Sequence, residues 1–229
     1  MKYLNEFRKA FSGEASPVFR ISEAKTFLKL RGAHRAYVYT MIHNLIVNKE
    51  IIRITRGVYT FHTEEATVAG FAFSPFYYGL ENALTIHRLW DQMTNPVILT
   101  TRKVRIGVRQ FAGRNYVVRR VNEEFLFGYE IINYSGVWVP VSDVEKTLLD
   151  MIYFHHNLDE ETLNLVLKKI DIKKFLEYLG RVEHHMNRGM MNHWIIKEIK
   201  IESKDKAREK FVKNPRSRII GIPRRTFPH

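Results

Sequence analysis

The chain lacks cysteine entirely, which excludes disulfide scaffolds, thiolate zinc sites and cysteine nucleophiles together. That lack fits an intracellular setting. Long apolar runs are missing too: no stretch approaches the roughly 18–20 apolar residues of a membrane span. Residues 1–11 carry Lys2, Glu6, Arg8 and Lys9 with no apolar signal segment after them, so a soluble, cytoplasmic protein without a membrane partner is expected. The patterns GxxxxGK[ST], GxGxxG and GxSxG are absent, and with them the phosphate-cradling loops and the esterase elbow that they encode. No heptad seam sets an oligomeric state. Acidic residues are the scarcer sign: 24 Asp+Glu stand against 37 Lys+Arg, for a formal charge of +13.

What is present suffices for a core. The 229 residues are 45% hydrophobic and 13% aromatic, which excludes disorder throughout and allows one large domain or two small ones. The positive charge is segregated: residues 1–62, 102–120 and 204–229 each carry +7, while 121–170 carry −6. Basic blocks separated by acidic ones point to polyanion-facing surfaces, since uniform solubilising charge does not segregate this way.

The first block has an ordered pattern. Residues 1–11 have helical spacing, ended by Ser12-Gly13. A second helix is expected from Ser22 as N-cap to Arg31-Gly32, and a longer one over 33–48. On the latter, Val38, Met41, Ile42 and Leu45 form a core stripe. The opposite side presents Tyr37, Thr40, His43 and Asn44, with Arg35 on its flank, groups suited to base edges and phosphates in a major groove. Ile51–Ile54 and Val58–Phe61 then flank the turn Thr55-Arg56-Gly57 as a small hairpin. A helix-turn-helix followed by a hairpin is the winged-helix arrangement, with Arg53 and Arg56 on the wing.

Beyond residue 62, a helix is expected over 80–90 and a buried strand over 96–101. From Arg102 the sequence alternates, with Val104, Ile106 and Val108 on one face and Lys103, Arg105, Gly107 and Arg109 on the other. Strands are expected over 116–121, 125–132 and 137–141, then a helix over 144–154. Lys103, Arg105, Arg109, Arg119 and Arg120 form a second basic surface, open to DNA, to an acidic partner, or simply to protection of a sheet edge.

Residues 1–154 resemble the AbiEi family of antitoxins and transcriptional regulators from abortive-infection toxin–antitoxin systems. The resemblance rests on the segment Ile54-Thr55-Arg56-Gly57-Val58-Tyr59 and on the helix start Gly79-Leu80-Glu81-Asn82-Ala83-Leu84. It also rests on the strand at 96–101 and on Val141-Ser142-Asp143-Val144-Glu145-Lys146-Thr147-Leu148-Leu149-Asp150. That last block is similar to the family's T-x-E-R-T-L-x-D helix, with Ser142 for Thr and Lys146 for Arg. The resemblance implies a winged helix on promoter DNA, repression of the protein's own operon, and a second α/β domain that neutralises a nucleotidyltransferase-type toxin.

Catalytic constellations are few. Asp143, Glu145, Lys146 and Asp150 invite a metal-dependent nuclease reading, but on a helix they point in several directions. Enrichment of the helix N-terminus by Asp143 and Glu145 is the favoured explanation. His155-His156, and His184-His185 with His193, lack any H-E-x-x-H or H-x3–5-H spacing and are read as surface histidines. No catalytic residue, metal or cofactor is therefore expected, and the protein is read as a non-enzyme. Helices are expected over 158–170, 172–180 and 182–188, with 194–201 apolar enough to dock. The tail from Ser203 is basic, with Arg216, Arg218, Arg224 and Arg225 as polyanion contacts. Removing residues 214–229 is expected to weaken DNA binding at low salt while leaving folding intact.

The expected fold is α+β: a winged helix-turn-helix domain over 1–62, a mixed-sheet α/β domain with C-terminal helices over 63–203, and a basic tail over 204–229. The expected function is that of an AbiEi-like DNA-binding regulator. A nuclease targeted by a winged helix, or an architectural DNA-binding protein of little sequence preference, are the alternatives.

Overall fold

The computed structural model describes residues 3–13, 17–63, 66–134, 136–191, 195–197 and 199. The tail arginines Arg216, Arg218, Arg224 and Arg225, and His193, lie outside the described residues. The chain is a mixed α+β protein that divides into two compact units, Met1–Ile170 and Asp171–His229. Among the described residues no helix is long and apolar enough to cross a membrane.

The first unit begins with α1 (Leu4–Phe11), β1 (Phe19–Arg20), α2 (Ile21–Lys29), α3 (Tyr37–Val47), β2 (Ile52–Thr55) and β3 (Val58–Thr60). The strands form an antiparallel sheet in the order β1-β3-β2. The N-cap of α2 is Arg20 rather than Ser22, and Glu23 completes the helix start by accepting from the Arg20 N–H at 2.6 Å. Helix α3 starts at Tyr37, later than its amphipathic pattern suggests. Gly32 takes φ +75°, and the Ala33 N–H closes back onto the Leu28 carbonyl at 3.0 Å. The reversal consumes residues 31–36 and leaves Arg35 ahead of the helix rather than on it. The expected stripe is the buried one: Val38, Met41, Ile42 and Leu45 pack with Phe7, Phe19, Ala24 and Leu28. Ring pairs Phe7–Phe11 and Phe11–Phe19 lie at 4.6 and 5.1 Å. Each fully buried side chain of this size contributes about 1.5–3 kcal/mol, so this block has a core of its own.

A 3-10 segment, Ala66–Phe73, leads to β4 (Phe76–Tyr78), α4 (Leu80–Ile86), β5 (Val97–Thr100), β6 (Gly107–Phe111), β7 (Arg114–Arg120), β8 (Tyr129–Tyr134), β9 (Val137–Ser142) and α5 (Val144–Tyr153). The six strands form a mixed sheet ordered β6-β7-β5-β4-β9-β8. β4 pairs antiparallel with β5 and parallel with β9, and β5 runs parallel to β7. Successive strand residues face opposite sides, and Tyr77 and Tyr78 tie the two sides down. The Tyr78 hydroxyl donates to the Thr67 carbonyl and accepts from the Gly70 N–H, pinning the 3-10 segment to one face. Tyr77 reaches α5 on the other. The 3-10 side shares one apolar cluster with Ile54 of β2 and Val58 of β3. Helix α6 (Glu160–Lys169), capped by Asp159, completes the unit beside α5.

The alternation after Arg102 resolves in the opposite phase from that expected. Strand β6 begins only at Gly107, and its register with β7 pairs Gly107 with Val118, Arg109 with Tyr116 and Phe111 with Arg114. That register turns the odd positions toward the core, where Phe111 is 3% exposed, and leaves Ile106 and Val108 61% and 67% exposed. Arg109 is tolerated there because its guanidinium lies over the Phe73 ring at 5.1 Å and donates to the Arg105 carbonyl. Only Val104 of the apolar set packs against the cluster. The strand expected from Phe125 starts at Tyr129, because Glu123–Phe125 form a 3-10 turn. The helix expected over 80–90 ends at Ile86, where Arg88 turns left-handed at φ +60°.

In the second unit, α7 (Ile172–Val182) runs through Gly180 rather than stopping there. The helix expected over 182–188 is a short 3-10 turn, Glu183–His185, followed by α8 (Arg188–Met191). Of the apolar 194–201 segment, Ile195, Ile196 and Ile199 are buried.

Candidate nucleic-acid interface

Among the described residues, the acids of the N-terminal block are occupied. Glu50 takes a two-pronged contact from Arg8 at 2.7 and 2.8 Å, and Glu6 pairs with Arg31 at 2.7 Å. Glu23 caps α2. Helix α3 itself carries no carboxylate. Among the described residues, no salt bridge engages Lys25, Lys29, Arg35, Arg53 or Arg56. The described surface of this block is therefore rich in positive charge outside ion pairs, with no carboxylate on α3 to repel a phosphate.

Positions spaced by three and four share a helix face, and Thr40, His43, Asn44 and Val47 follow that spacing. Thr40 and His43 are exposed and Asn44 is half-buried. Arg35 is exposed in the approach to α3. Tyr37 differs from its neighbours. It is half-buried, edge-on to Tyr3 at 5.7 Å, and its hydroxyl is enclosed without a hydrogen-bond partner. Tyr39, beside this face, is 51% exposed. Lys25 Nζ sits 5.0 Å from its ring centre. A hydrogen bond with Lys25, the Lys25 charge and then the Arg35 charge pull the Tyr39 hydroxyl below the usual phenol range. On the hairpin, Arg53 and Arg56 are both exposed, Arg56 at the tip beside Gly57, which takes φ +77°.

The five cations of the expected second basic surface do not stay together. Lys103, Arg105 and Arg120 are exposed. Arg109 lies over Phe73 on the core-facing side of β6. Arg119 points to the other side of the sheet, where Nη2 meets His156 Nε2 at 2.8 Å and the guanidinium lies 5.1 Å from the Phe154 ring. His156 Nδ1 in turn meets Glu81 Oε1 at 2.5 Å. A donor at Nε2 fixes the ring as an acceptor there, so Nδ1 carries the proton that Glu81 accepts. This relay joins β7, the end of α5 and the start of α4. It spans residues 81, 119 and 156 and has no local sequence signal.

The nuclease candidates are taken up inside the fold. Asp143 caps α5, accepting from the Lys146 N–H at 2.8 Å. Lys146, Asp150 and Tyr77 are each fully buried. Lys146 Nζ donates to Asp150 Oδ1 and to the Tyr77 hydroxyl at 2.6 Å, and that hydroxyl donates to Asp150 Oδ2 at 3.0 Å. The Tyr77, Phe125 and Phe127 rings lie 4.6, 5.3 and 5.3 Å from the ammonium. Burial pushes the lysine down and the aspartic acid up, and the pairing opposes burial in both. A site closed to solvent on every side holds no substrate; the triad clamps α5 onto β4. Its sequence signal is an acid and a base four residues apart on the apolar side of a helix.

Two of the cavities formed by the described residues of the first unit contrast in charge. One of about 580 Å³ is lined by three acids, Asp91, Asp159 and Glu161, against the single cation Arg88. The other, of about 420 Å³, lies between α2 and the approach to α3 and has no acidic lining residue. No family model matches the chain, and no curated protein matches it.

Proposed function

We propose that the protein is a sequence-selective regulator that binds double-stranded DNA, with residues 1–62 acting as a winged helix. In this reading α2, the 30–36 turn and α3 are the helix-turn-helix, α3 enters the major groove, and the β2–β3 hairpin is the wing. One observation carries it: the acid-free face of α3 with Thr40, His43 and Asn44, set between Arg35 and a hairpin whose Arg53 and Arg56 are exposed. Hydroxyl, imidazole and amide groups read base edges, while flanking cations hold phosphates and set the register. Tyr37 contributes to the seating of α3 more than to a base contact, since its ring is spent on Tyr3.

The resemblance to AbiEi antitoxins extends this role. The protein acts in the cytoplasm, binds an operator in its own promoter, represses its operon and counteracts a nucleotidyltransferase-type toxin. Engagement of Asp143 as a cap and of Lys146 and Asp150 in the interior supports a binding protein over a nuclease.

The test is binding to the protein's own promoter duplex and to a scrambled duplex across a salt series. Tighter promoter binding by a factor of about 10³ or more, retained as salt rises, is the expected result. Equal affinities that collapse together with salt mean that net charge alone binds DNA. Growth rescue on co-expression with a neighbouring nucleotidyltransferase gene tests the antitoxin half.

A further inference from the structure

The cavity between α2 and α3 has a chemistry that groove recognition does not require. Its floor is apolar, made by Ala33 with Leu28 and Val38, which are each 2% exposed. Its walls are cationic. Lys25 and Lys29 stand one turn apart on α2 and line the same opening, joined by His34 and Arg35 from the approach to α3. No lining residue is acidic. Among the described residues no carboxylate is salt-bridged to Lys25, Lys29 or Arg35; Lys25 meets the uncharged Tyr39 side chain, which leaves its positive charge unneutralised.

Size and polarity narrow the ligand. At about 420 Å³ the cavity falls within the range of small-molecule sites. It is several times larger than a tetrahedral oxyanion, so a bare phosphate leaves the apolar floor uncovered. A neutral apolar molecule leaves three cations unanswered. A ligand that satisfies both parts carries an anionic group at one end and a flat, weakly polar body at the other. The positive field at this position is felt by Tyr39, whose hydroxyl Lys25 and Arg35 hold below its ordinary range. The acidic 580 Å³ cavity of the same unit offers the reverse polarity and excludes such a ligand.

We propose that this cavity binds a free mononucleotide, with the phosphate held by Lys25, Lys29 and Arg35 and the base laid against Leu28, Ala33 and Val38. Binding itself goes beyond the reading of the protein as a DNA-binding regulator. Its consequence rests on that reading: Arg35 serves both the cavity and the approach to α3, so a bound nucleotide competes with duplex DNA and is an effector of operator release.

The experiment is calorimetric titration of the full chain with adenosine 5′-monophosphate, inorganic phosphate and adenosine separately. Saturable one-to-one binding of the nucleotide is expected, with phosphate and adenosine each at least about tenfold weaker. Lys25→Ala combined with Lys29→Ala is expected to weaken the nucleotide by tenfold or more, and Arg35→Ala serves as an independent variant outside the helix. Lys168→Ala with Lys169→Ala removes the same charge from exposed positions on α6 and is expected to leave binding unchanged. Circular dichroism confirms that each variant is folded. Absence of saturable binding at millimolar nucleotide overturns the proposal. So does equal binding of phosphate and nucleotide, or indifference to the α2 variants. Promoter binding measured in parallel keeps the two readings apart. A chain that binds the nucleotide but not the promoter retains the site and loses the regulator. A chain that binds the promoter with no nucleotide effect retains the regulator and loses the site.

Discussion

Replacing Lys146 with methionine is expected to destabilise the protein by about 3–5 kcal/mol at neutral pH, because Asp150 is left buried without its cation. The pH dependence of that loss identifies its cause. Asp150 already titrates above its usual value because burial outweighs the help of Lys146 and Tyr77. Without the lysine it rises further. An acid that holds its proton in the folded state, but releases it near 4 when unfolded, makes folding less favourable as pH rises from about 4 through the folded value. The Lys146→Met loss therefore grows as pH rises and shrinks toward pH 4–5. Asp150→Asn has the opposite slope. Lys146 is held below its ordinary range by burial, and loss of the carboxylate lowers it further. Stability then falls as pH drops from about 10, and raising the pH to 9 restores part of it. Lys146→Met with Asp150→Leu removes both charges, so neither added slope remains, and its loss is limited to the roughly 1–3 kcal/mol of the Tyr77 hydroxyl left buried without these partners. Urea unfolding followed by circular dichroism at pH 5, 7 and 9 measures all three. Parallel slopes in the two single variants, or a double variant that loses the sum of both, refute the buried ion pair as the source of the clamp.

Helix α3 ends with Lys49 in a left-handed turn at φ +57°, where the Glu50 N–H bonds the Leu45 carbonyl at 2.9 Å. Lys49→Gly relieves the strain that a side chain meets there and is expected to stabilise the protein by about 1 kcal/mol, read as a raised urea midpoint. Gly70→Ala drives a Cβ into the Phe76 ring and to 2.6 Å from the Tyr78 hydroxyl; a destabilisation of about 1–3 kcal/mol or more is expected in the same assay. Arg53→Ala with Arg56→Ala is expected to weaken all duplexes alike and to reduce the salt slope by about 0.9 for each phosphate no longer neutralised. Alanine at Thr40, His43 and Asn44 is expected instead to erase promoter preference, by about 1–3 kcal/mol for each base pair no longer read, in a competition assay with scrambled DNA.

The local features are legible in the sequence because their determinants are neighbours. Val38, Met41, Ile42 and Leu45 lie on α3 at one helical period, and all four are buried. The turn at Arg56-Gly57 and the buried strand Val97–Thr100 follow from short runs. The phase of β6 does not follow, because alternation fixes only that two faces differ. Which face is inward is set by pairing with Tyr116 and Val118 on β7, and Arg109 escapes penalty through Phe73, over thirty residues away in sequence. The start of α3 departs from its amphipathic pattern for a related reason: Gly32 and the residues after it obey a reversal, not a helical period. Arg119 has the sequence surroundings of a surface cation, but its destination depends on His156 and Glu81. The seating of Lys146 against Tyr77 is equally invisible until β4 and α5 are brought together.

The hairpin carrying Arg53 and Arg56 is also a wall of the neighbouring core: Ile54 and Val58 are buried in the same cluster as Val68, Phe73, Tyr116 and Val139. The two blocks of the first unit are consequently not interchangeable parts. A foreign helix-and-hairpin block grafted on at residue 62 brings its own hairpin, and unless that hairpin supplies matching apolar groups it leaves the sheet's cluster open to water. Any exchange of this block is then constrained to carry the hairpin together with the sheet it covers, whatever the block binds, whereas substitutions on the exposed face of α3 leave that shared cluster intact.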